Sequence, residues 1–416
     1  MTDTLPIQPW MTDPATVQVM AALESAGGED GARFVGGCVR NTLMKRPVGD
    51  IDIATTLTPD AVTAALKAAG LKAVPTGAAH GTITAVSHGR PFEITTLRRD
   101  VETDGRHAKV AFTDDWAEDA ARRDFRLNAL YADIRGRLFD PTGEGVADAL
   151  AGRIVFVGDA RARIVEDALR ILRFFRFLAW YGRGEPDAIG LAACRDLRDL
   201  VSGLSAERVT KELLTLLAAD DPRRAVRLMA EAGVLGLVLP EAQGLSRFDS
   251  LVAIETGMLF TEDALLRLAA LLAADPAAGA AVATRLRLSN AQRDRLIAAL
   301  GPEPPLVSWM SPRQTRQAVY RLGAQAFCDR ASLAWAASDR PASAIQWRAL
   351  LPMAQSWPRP VLPLTGEEVV AAGVRRGPQV GAVLREVEAW WIDNDFTLDK
   401  LSVVERLKSV VQGMVY

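Results

Sequence analysis

The spacing of apolar positions divides the chain into two regimes. Up to about residue 150 the period changes repeatedly. Gly31–Val35 is a short apolar run that stops at Gly36-Gly37, the pattern of a strand entering a tight turn, and Val39–Lys45 reads as a short helix. Ile51–Thr55 alternates with period two and predicts a strand. Pro59–Ala69 is helical, with Thr58 as N-cap and Pro59 in the first position. Thr82–Ser87 and Phe92–Leu97 flank His88-Gly89-Arg90 as a hairpin would. Arg98–Asp115 reads as a polar loop, Trp116–Ala129 as a helix, and Leu138-Phe139-Asp140-Pro141 closes the region. Beyond it, Ala, Leu and Arg recur at helical spacing almost to the end, with breaks at Gly182–Pro186, Asp220–Pro222, Pro240, Asp275-Pro276, Gly301–Pro305 and Ser356–Pro363. The predicted class is therefore α+β: a head with a mixed sheet, then an all-helical remainder.

Composition narrows the function classes. The 416 residues are 49% hydrophobic and 24% charged, as in an ordinary folded protein, and the net charge is -2. A nucleic-acid partner would have to meet a local basic patch, since no global field exists. Cys38, Cys194 and Cys328 lie far apart without a CxxC pair, which argues against a disulfide scaffold or a cysteine zinc site and fits a reducing, cytoplasmic setting. His80, His88 and His107 are too few and too scattered for a multi-histidine metal site, and no His-Asp dipeptide marks a phosphohydrolase. Ala264–Ala283 is the most apolar stretch, but Arg267 and Asp275 interrupt it, so no membrane span is expected; nor does the start look like a signal peptide.

Two short motifs carry chemistry. In Asp50-Ile51-Asp52 the acids are two apart, so a strand turns both carboxylates to one face. Such a pair repels itself unless a hard divalent cation such as Mg²⁺ neutralises it, and two such ions could activate a hydroxyl and stabilise a leaving pyrophosphate. Alone, a D-x-D is usually a solvated strand face. Upstream, however, Gly36-Gly37-Cys38-Val39-Arg40 joins a strand to a helix, where glycines admit a triphosphate and Arg40 adds a forked cation. The two elements together describe a phosphate cradle beside a metal site.

These residues resemble the head of the bacterial (class II) tRNA nucleotidyltransferase and poly(A) polymerase group, within the polymerase-β-like nucleotidyltransferase superfamily. Arg122-Arg123-Asp124-Phe125 with Asn128-Ala129 is similar to that group's R-R-D-F-x-x-N-A block, and Glu166-Asp167-Ala168-Leu169-Arg170 to its E-D-x-x-R block. Ser205-x-Glu207-Arg208, Glu212 and Leu239-Pro240-Glu241 look like its helical body. Asn41 departs from the Asp usual after Arg40. The resemblance implies a head over 1–150, a neck over 151–200, a body over 201–300 and a tRNA-gripping tail over 301–416. It implies that Asp50 and Asp52 are catalytic and hold Mg²⁺; Glu93, on the strand before the 98–115 segment, is a candidate third acid by its position. It also implies that Gly36, Gly37, Arg40, Arg123, Asp124, Asp167, Arg170, Arg173 and Arg176 form the nucleotide site.

Asp167, Arg170, Arg173 and Arg176 recur every three residues, which on one helix would place the first three on a shared face, above a buried stripe of Val165, Ala168, Leu169, Leu172 and Phe175. An Asp and an Arg side by side match the Watson–Crick edge of cytosine or adenine. The resemblance implies that Asp167 and Arg170 are used in this way, that Arg123 contacts the nucleotide and that Arg173 and Arg176 hold the triphosphate; ordinary i,i+3 pairing on an exposed helix is the bland alternative. The 98–115 segment would correspond to the group's flexible element for changing from C to A addition. The implied activity is addition of C, C and A to the tRNA 3′ end from CTP and ATP, without a membrane or an evident protein partner. Poly(A) polymerase, a CC-only enzyme and a retired RNA-binding protein of the same fold are the alternatives. The basic block that poly(A) polymerases carry soon after the D-x-D is absent from Thr76–Thr82. Cys38 in the turn is a candidate for alkylation, and Trp390-Trp391 reads as core.

Overall fold

The computed structural model describes residues 4–77, 81–104, 107–258, 260–338 and 340–413. Two compact units divide the chain, 1–240 and 241–416; the break falls inside the stretch read above as body.

The first unit opens with α1 (Pro9–Thr12) and α2 (Pro14–Gly27), followed by β1 (Ala32–Val35), α3 (Gly37–Leu43), β2 (Asp52–Thr55) and α4 (Pro59–Ala68). Next come β3 (Lys72–Gly77), β4 (Thr82–Ser87), β5 (Arg90–Thr96), β6 (Arg98–Asp104), β7 (His107–Phe112), α5 (Trp116–Ala121), β8 (Tyr131–Ala132) and β9 (Leu138–Phe139). Then α6 (Gly145–Ala151), α7 (Ala160–Glu166), α8 (Leu169–Tyr181), α9 (Ala188–Asp196), α10 (Ala206–Leu217), α11 (Arg223–Glu231) and α12 (Val234–Val238) complete it. The main sheet runs β3-β4-β5-β2-β1-β8-β9. The β2–β5 pair is parallel and the other pairs are antiparallel, so the sheet is mixed, as the sequence predicts. After β9 no further strand occurs among the described residues.

Local rules explain most elements. Thr58 caps α4 by accepting from the Ala61 N–H, with Pro59 in the first turn. His88 and Gly89 both take positive φ, which the two-residue turn of the β4–β5 hairpin requires. The α2 and α4 residues Val19, Leu23, Val62 and Leu66 are buried, as are Phe34, Ile53, Ile83, Phe92 and Ile94 of the sheet.

Four expectations change. The 98–115 loop contains an antiparallel hairpin, β6–β7, separate from the main sheet; its mixed charges hide the strand pattern. His80 and Arg106 lie outside the described residues. The helix read over Trp116–Ala129 ends at Ala121, because the backbone beyond pairs elsewhere: Arg126 N–H donates to Val155 O at 3.0 Å and Val157 N–H to Asp124 O at 3.0 Å. The E-D-x-x-R block is not one helix, for Asp167 is extended (φ -151, ψ 104) between α7 and α8. Val165 is correspondingly exposed at 66%, and the buried face of α8 is Leu169, Ile171, Leu172, Phe174, Phe175 and Phe177.

In the second unit, Phe327, Trp335 and Trp347 centre one core cluster, while Val383, Val387, Trp391 and Val403 centre another, so Trp391 is core. Arg267 is fully buried and donates to Glu255 at 2.6 Å; burial still pushes the Glu255 carboxyl up to about 7.

Candidate active site

The acid pair sits where the parallel strands meet. Register places Asp52, first residue of β2, opposite Glu93 of β5, and Asp50 precedes it in the extended lead-in. Burial pushes the Asp52 carboxyl up to about 6; the neighbouring charges of Glu93 and Asp50 add to this, and Arg123 and Arg40 oppose it. Asp50, Asp52 and Glu93 are thus brought together, with Glu93 and Asp50 exposed. Among the described residues no group of three or more His, Cys, Asp or Glu is placed to hold a metal ion. Asp50 and Asp52 offer carboxylate oxygens only, the donors that a hard divalent ion takes while completing its shell with water and substrate phosphate.

Beside the acids, Gly36 turns the chain from β1 into α3 at φ 68, ψ -115, a conformation that strongly favours glycine. Gly37 is different: its φ is ordinary and a side chain there would meet Arg40 Nη2 only at 3.9 Å. Arginines add positive charge beside this turn, where Arg123 and Arg40 both act on Asp52. Arg40 is 7% exposed, and its fork is committed. Its Nη1 donates to Asn128 Oδ1 (2.5 Å), its Nη2 to Tyr181 OH (2.7 Å), and Nε and Nη2 to Asn41 Oδ1 (3.1 and 2.8 Å). All three partners are neutral. Burial therefore pulls the Arg40 pKa down, against the pull of Tyr181 and Asp124. The departure at Asn41 keeps a grip on Arg40 through an amide oxygen where a carboxylate would stand.

Asp124 is the junction of the site. It accepts from Arg173 Nε and Nη2 (2.8 and 2.5 Å), from Asn128 Nδ2 (2.9 Å) and from its neighbour's N–H. Burial would raise its pKa, but Arg173 and Asn128 outweigh this and hold it below the usual carboxylate range. Phe125 packs beside Phe156 (4.9 Å) and Phe177 (5.0 Å), fastening the block to α8. Arg123 pairs with Asp119 at 3.0 Å and lies beside Gly36, whose side chain would stand 3.6 Å from Arg123 Nη1.

The Asp167 and Arg170 side chains do not bond each other. Asp167 Oδ1 accepts from the Leu169 N–H (3.1 Å) and Oδ2 from Arg208 (2.7 Å). Arg170 is pinned by Glu166 (2.7 Å) and by the Arg163 and Arg122 carbonyls (2.7 and 3.1 Å). Each polar head is held by these partners, and each has hydrogen-bonding capacity left over. Arg176 pairs with Glu212 at 2.5 Å and Arg173 approaches the same carboxylate at 3.7 Å. Asp119, Tyr131 and Tyr181 were not legible as site residues. Asp119 stands three and four positions before Arg122 and Arg123, a helical pairing signal. Nothing local announces the tyrosines. Cys38 is buried, and burial pushes its thiol up to about 11, which corrects its reading as an alkylation site.

Comparison with known proteins places this geometry. The family model described as the poly A polymerase head domain matches residues 32–155. A second, described as a probable RNA and SrmB-binding site of polymerase A, matches residues 190–245. The Mus musculus protein named CCA tRNA nucleotidyltransferase 1, mitochondrial, is 31% identical over 386 residues, spanning 90% of this chain and 86% of that one. Its Homo sapiens counterpart is 32% identical over 400 residues with the same coverage.

The chain belongs to the CCA tRNA nucleotidyltransferase family.

A bacterial member of that family, the CCA-adding enzyme of Geobacillus stearothermophilus, is 38% identical over 216 residues, 51% of this chain and 52% of its own. The fold matches solved CCA-adding enzymes. The Bacillus stearothermophilus enzyme in complex with CTP superposes with a TM-score of 0.75 at 24% identity, covering 96% of this chain and all of that one. The Thermotoga maritima enzyme complexed with tRNA_CCA gives 0.68 at 20%, covering 96% and 97%. The matched head spans the glycine turn, the acid pair and the Arg122–Asn128 block. No helix among the described residues is long and apolar enough to cross a membrane.

Proposed function

We propose that this member of the CCA tRNA nucleotidyltransferase family adds C, C and A to the 3′ end of tRNA. The terminal hydroxyl attacks the α-phosphate of CTP twice and of ATP once, and pyrophosphate leaves each time. The observation that carries the reading is the Asp50–Asp52–Glu93 cluster in the same compact unit as the Asp167 and Arg170 heads. Mg²⁺ held by Asp50 and Asp52, when bound, would activate the hydroxyl and stabilise the leaving oxygen.

The chain's own residues do the rest by position and charge, the main sources of rate in phosphoryl transfer. Gly36 and Gly37 let the backbone approach the triphosphate, and Arg40 and Arg123 supply positive charge beside it. Asp124 orients Arg173, and Glu212 orients Arg176, on the triphosphate side. Asp167 presents acceptors to an exocyclic amine, and Arg170 presents donors to ring nitrogen or carbonyl, so protein replaces a template strand. In this reading 1–150 is the catalytic head, 151–200 the neck, 201–300 the body and 301–416 the tail that holds tRNA. The three cysteines are free and two are buried, which supports a reducing cytoplasmic setting.

The test is incorporation of labelled nucleotides into a tRNA lacking its CCA end. Sequential C, C and A supports the proposal. Long A-tracts from ATP alone would favour poly(A) polymerase, a reading kept in view by the description of the matched head model. Arrest after two C residues would make it a CC-only enzyme.

A further inference from the structure

Most arginines around the acid pair have their charge answered inside the protein, by Asp119, Asp124, Glu166, Asp167 or Glu212. Two do not. Arg40 forms no ion pair and has only neutral hydrogen-bond partners, with Asp124 and Asp52 acting on it through their charge alone. Arg46, four residues before Asp50, has no hydrogen-bond acceptor or carboxylate for its guanidinium among the described residues. Both surround one ring: the Arg40 guanidinium carbon is 4.1 Å from the Tyr181 centroid and that of Arg46 is 5.3 Å from it. Tyr181 also accepts from Arg40 at 2.7 Å.

The root of Arg46 is fixed although its fork is not. Its N–H donates to Asn41 O at 2.8 Å, and Asn41 Nδ2 donates to Pro47 O at 2.8 Å. Lys45, in between, is turned into the left-handed region at φ 54. Asn41 therefore ties down both sides of the turn, a donation that an Asp at this position could not make. Arg40 is buried and its fork is taken by Asn41, Asn128 and Tyr181, whereas Arg46, half-buried at the same ring and without an ion pair among the described residues, is a pre-set cation for an anion supplied from outside.

We propose that Arg46, seated against Tyr181, is a further phosphate contact at the mouth of the site. The phosphate belongs either to the incoming nucleotide or to the backbone at the tRNA end. This rests on the function proposed above. Arg46→Ala, Arg46→Lys and Tyr181→Leu are compared with wild type for KM and kcat with CTP and ATP, for tRNA binding across a salt series, and for melting temperature.

If the phosphate is the nucleotide's, Arg46→Ala raises both KM values about tenfold while kcat and melting hold. If it is the RNA's, tRNA binding weakens and its salt slope falls by about 1, with KM unchanged. In either case Arg46→Lys recovers part of the loss and Tyr181→Leu moves the same parameter. KM and the tRNA salt slope both unchanged in Arg46→Ala would overturn the assignment. If wild type incorporated no nucleotide, the functional reading would fail separately, and the salt slope alone would decide for or against the contact.

Discussion

Asp124 grips the guanidinium of Arg173 through both Nε and Nη2, at 2.8 and 2.5 Å. That one relationship ties the Arg122–Asn128 block to the neck helix, and through Asn128 it continues to Arg40 and Tyr181. Asp124→Ala strips acceptors from Arg173, Asn128 and a backbone N–H at once. Asp124 is buried but Arg173 is 32% exposed, so the loss is about 2 kcal/mol, below that of a fully buried pair. Urea unfolding of the variant checks it, and a change under about 0.5 kcal/mol would show that the junction carries no stability.

The acid pair is expected to serve chemistry rather than RNA affinity. Asp50→Ala and Asp52→Ala should each abolish incorporation while tRNA still binds. Filter binding beside a primer-extension assay separates the two effects, and retained turnover in either variant would remove the metal assignment.

Asp52 also sets a pH dependence. Its folded pKa, about 6, lies above the ordinary 3.8. The ion-free fold therefore prefers the protonated carboxyl, and this group's contribution to stability is full below about pH 4 and lost as pH rises through about 6. Asp52→Asn should make the ion-free protein more stable at pH 8, by on the order of 1 kcal/mol after solvent screening. Cation binding needs the ionised form, so divalent affinity should weaken as pH falls through 6. Melting curves with EDTA and titrations with Mg²⁺ at pH 5 and 8 test both signs.

Base choice should follow Asp167 and Arg170. Exchanging their hydrogen-bonding groups is expected to relax discrimination between CTP, ATP and UTP, at about 1–3 kcal/mol for each lost base contact. Equal discrimination in wild type and variants would end the protein-template account.

Cys38 should resist iodoacetamide at pH 8 in the folded protein, because its thiol is buried and pushed up to about 11. Peptide mapping after labelling decides this. Rapid modification of Cys38 would mean that the glycine turn opens in solution.

The head was legible where residues answer to their own neighbours. The cap at Thr58, the turn at His88-Gly89 and the alternation through Ile53 depend on a few adjacent positions. It was not legible where a distant partner decides. Asp167 leaves the helix, and its carboxylate meets Arg208, 41 positions away. The chain after Ala121 gives up helical bonds for pairing with 155–157. Candidate site residues were recognisable as residue types near acids and glycines, but Arg40 is committed also to Asn128 and Tyr181, 88 and 141 positions away.

A crystal structure with CTP and Mg²⁺ bound tests the account most directly. The account predicts the α-phosphate beside Asp50 and Asp52, with the cytosine edge facing Asp167 and Arg170. A nucleotide bound away from both pairs would contradict it.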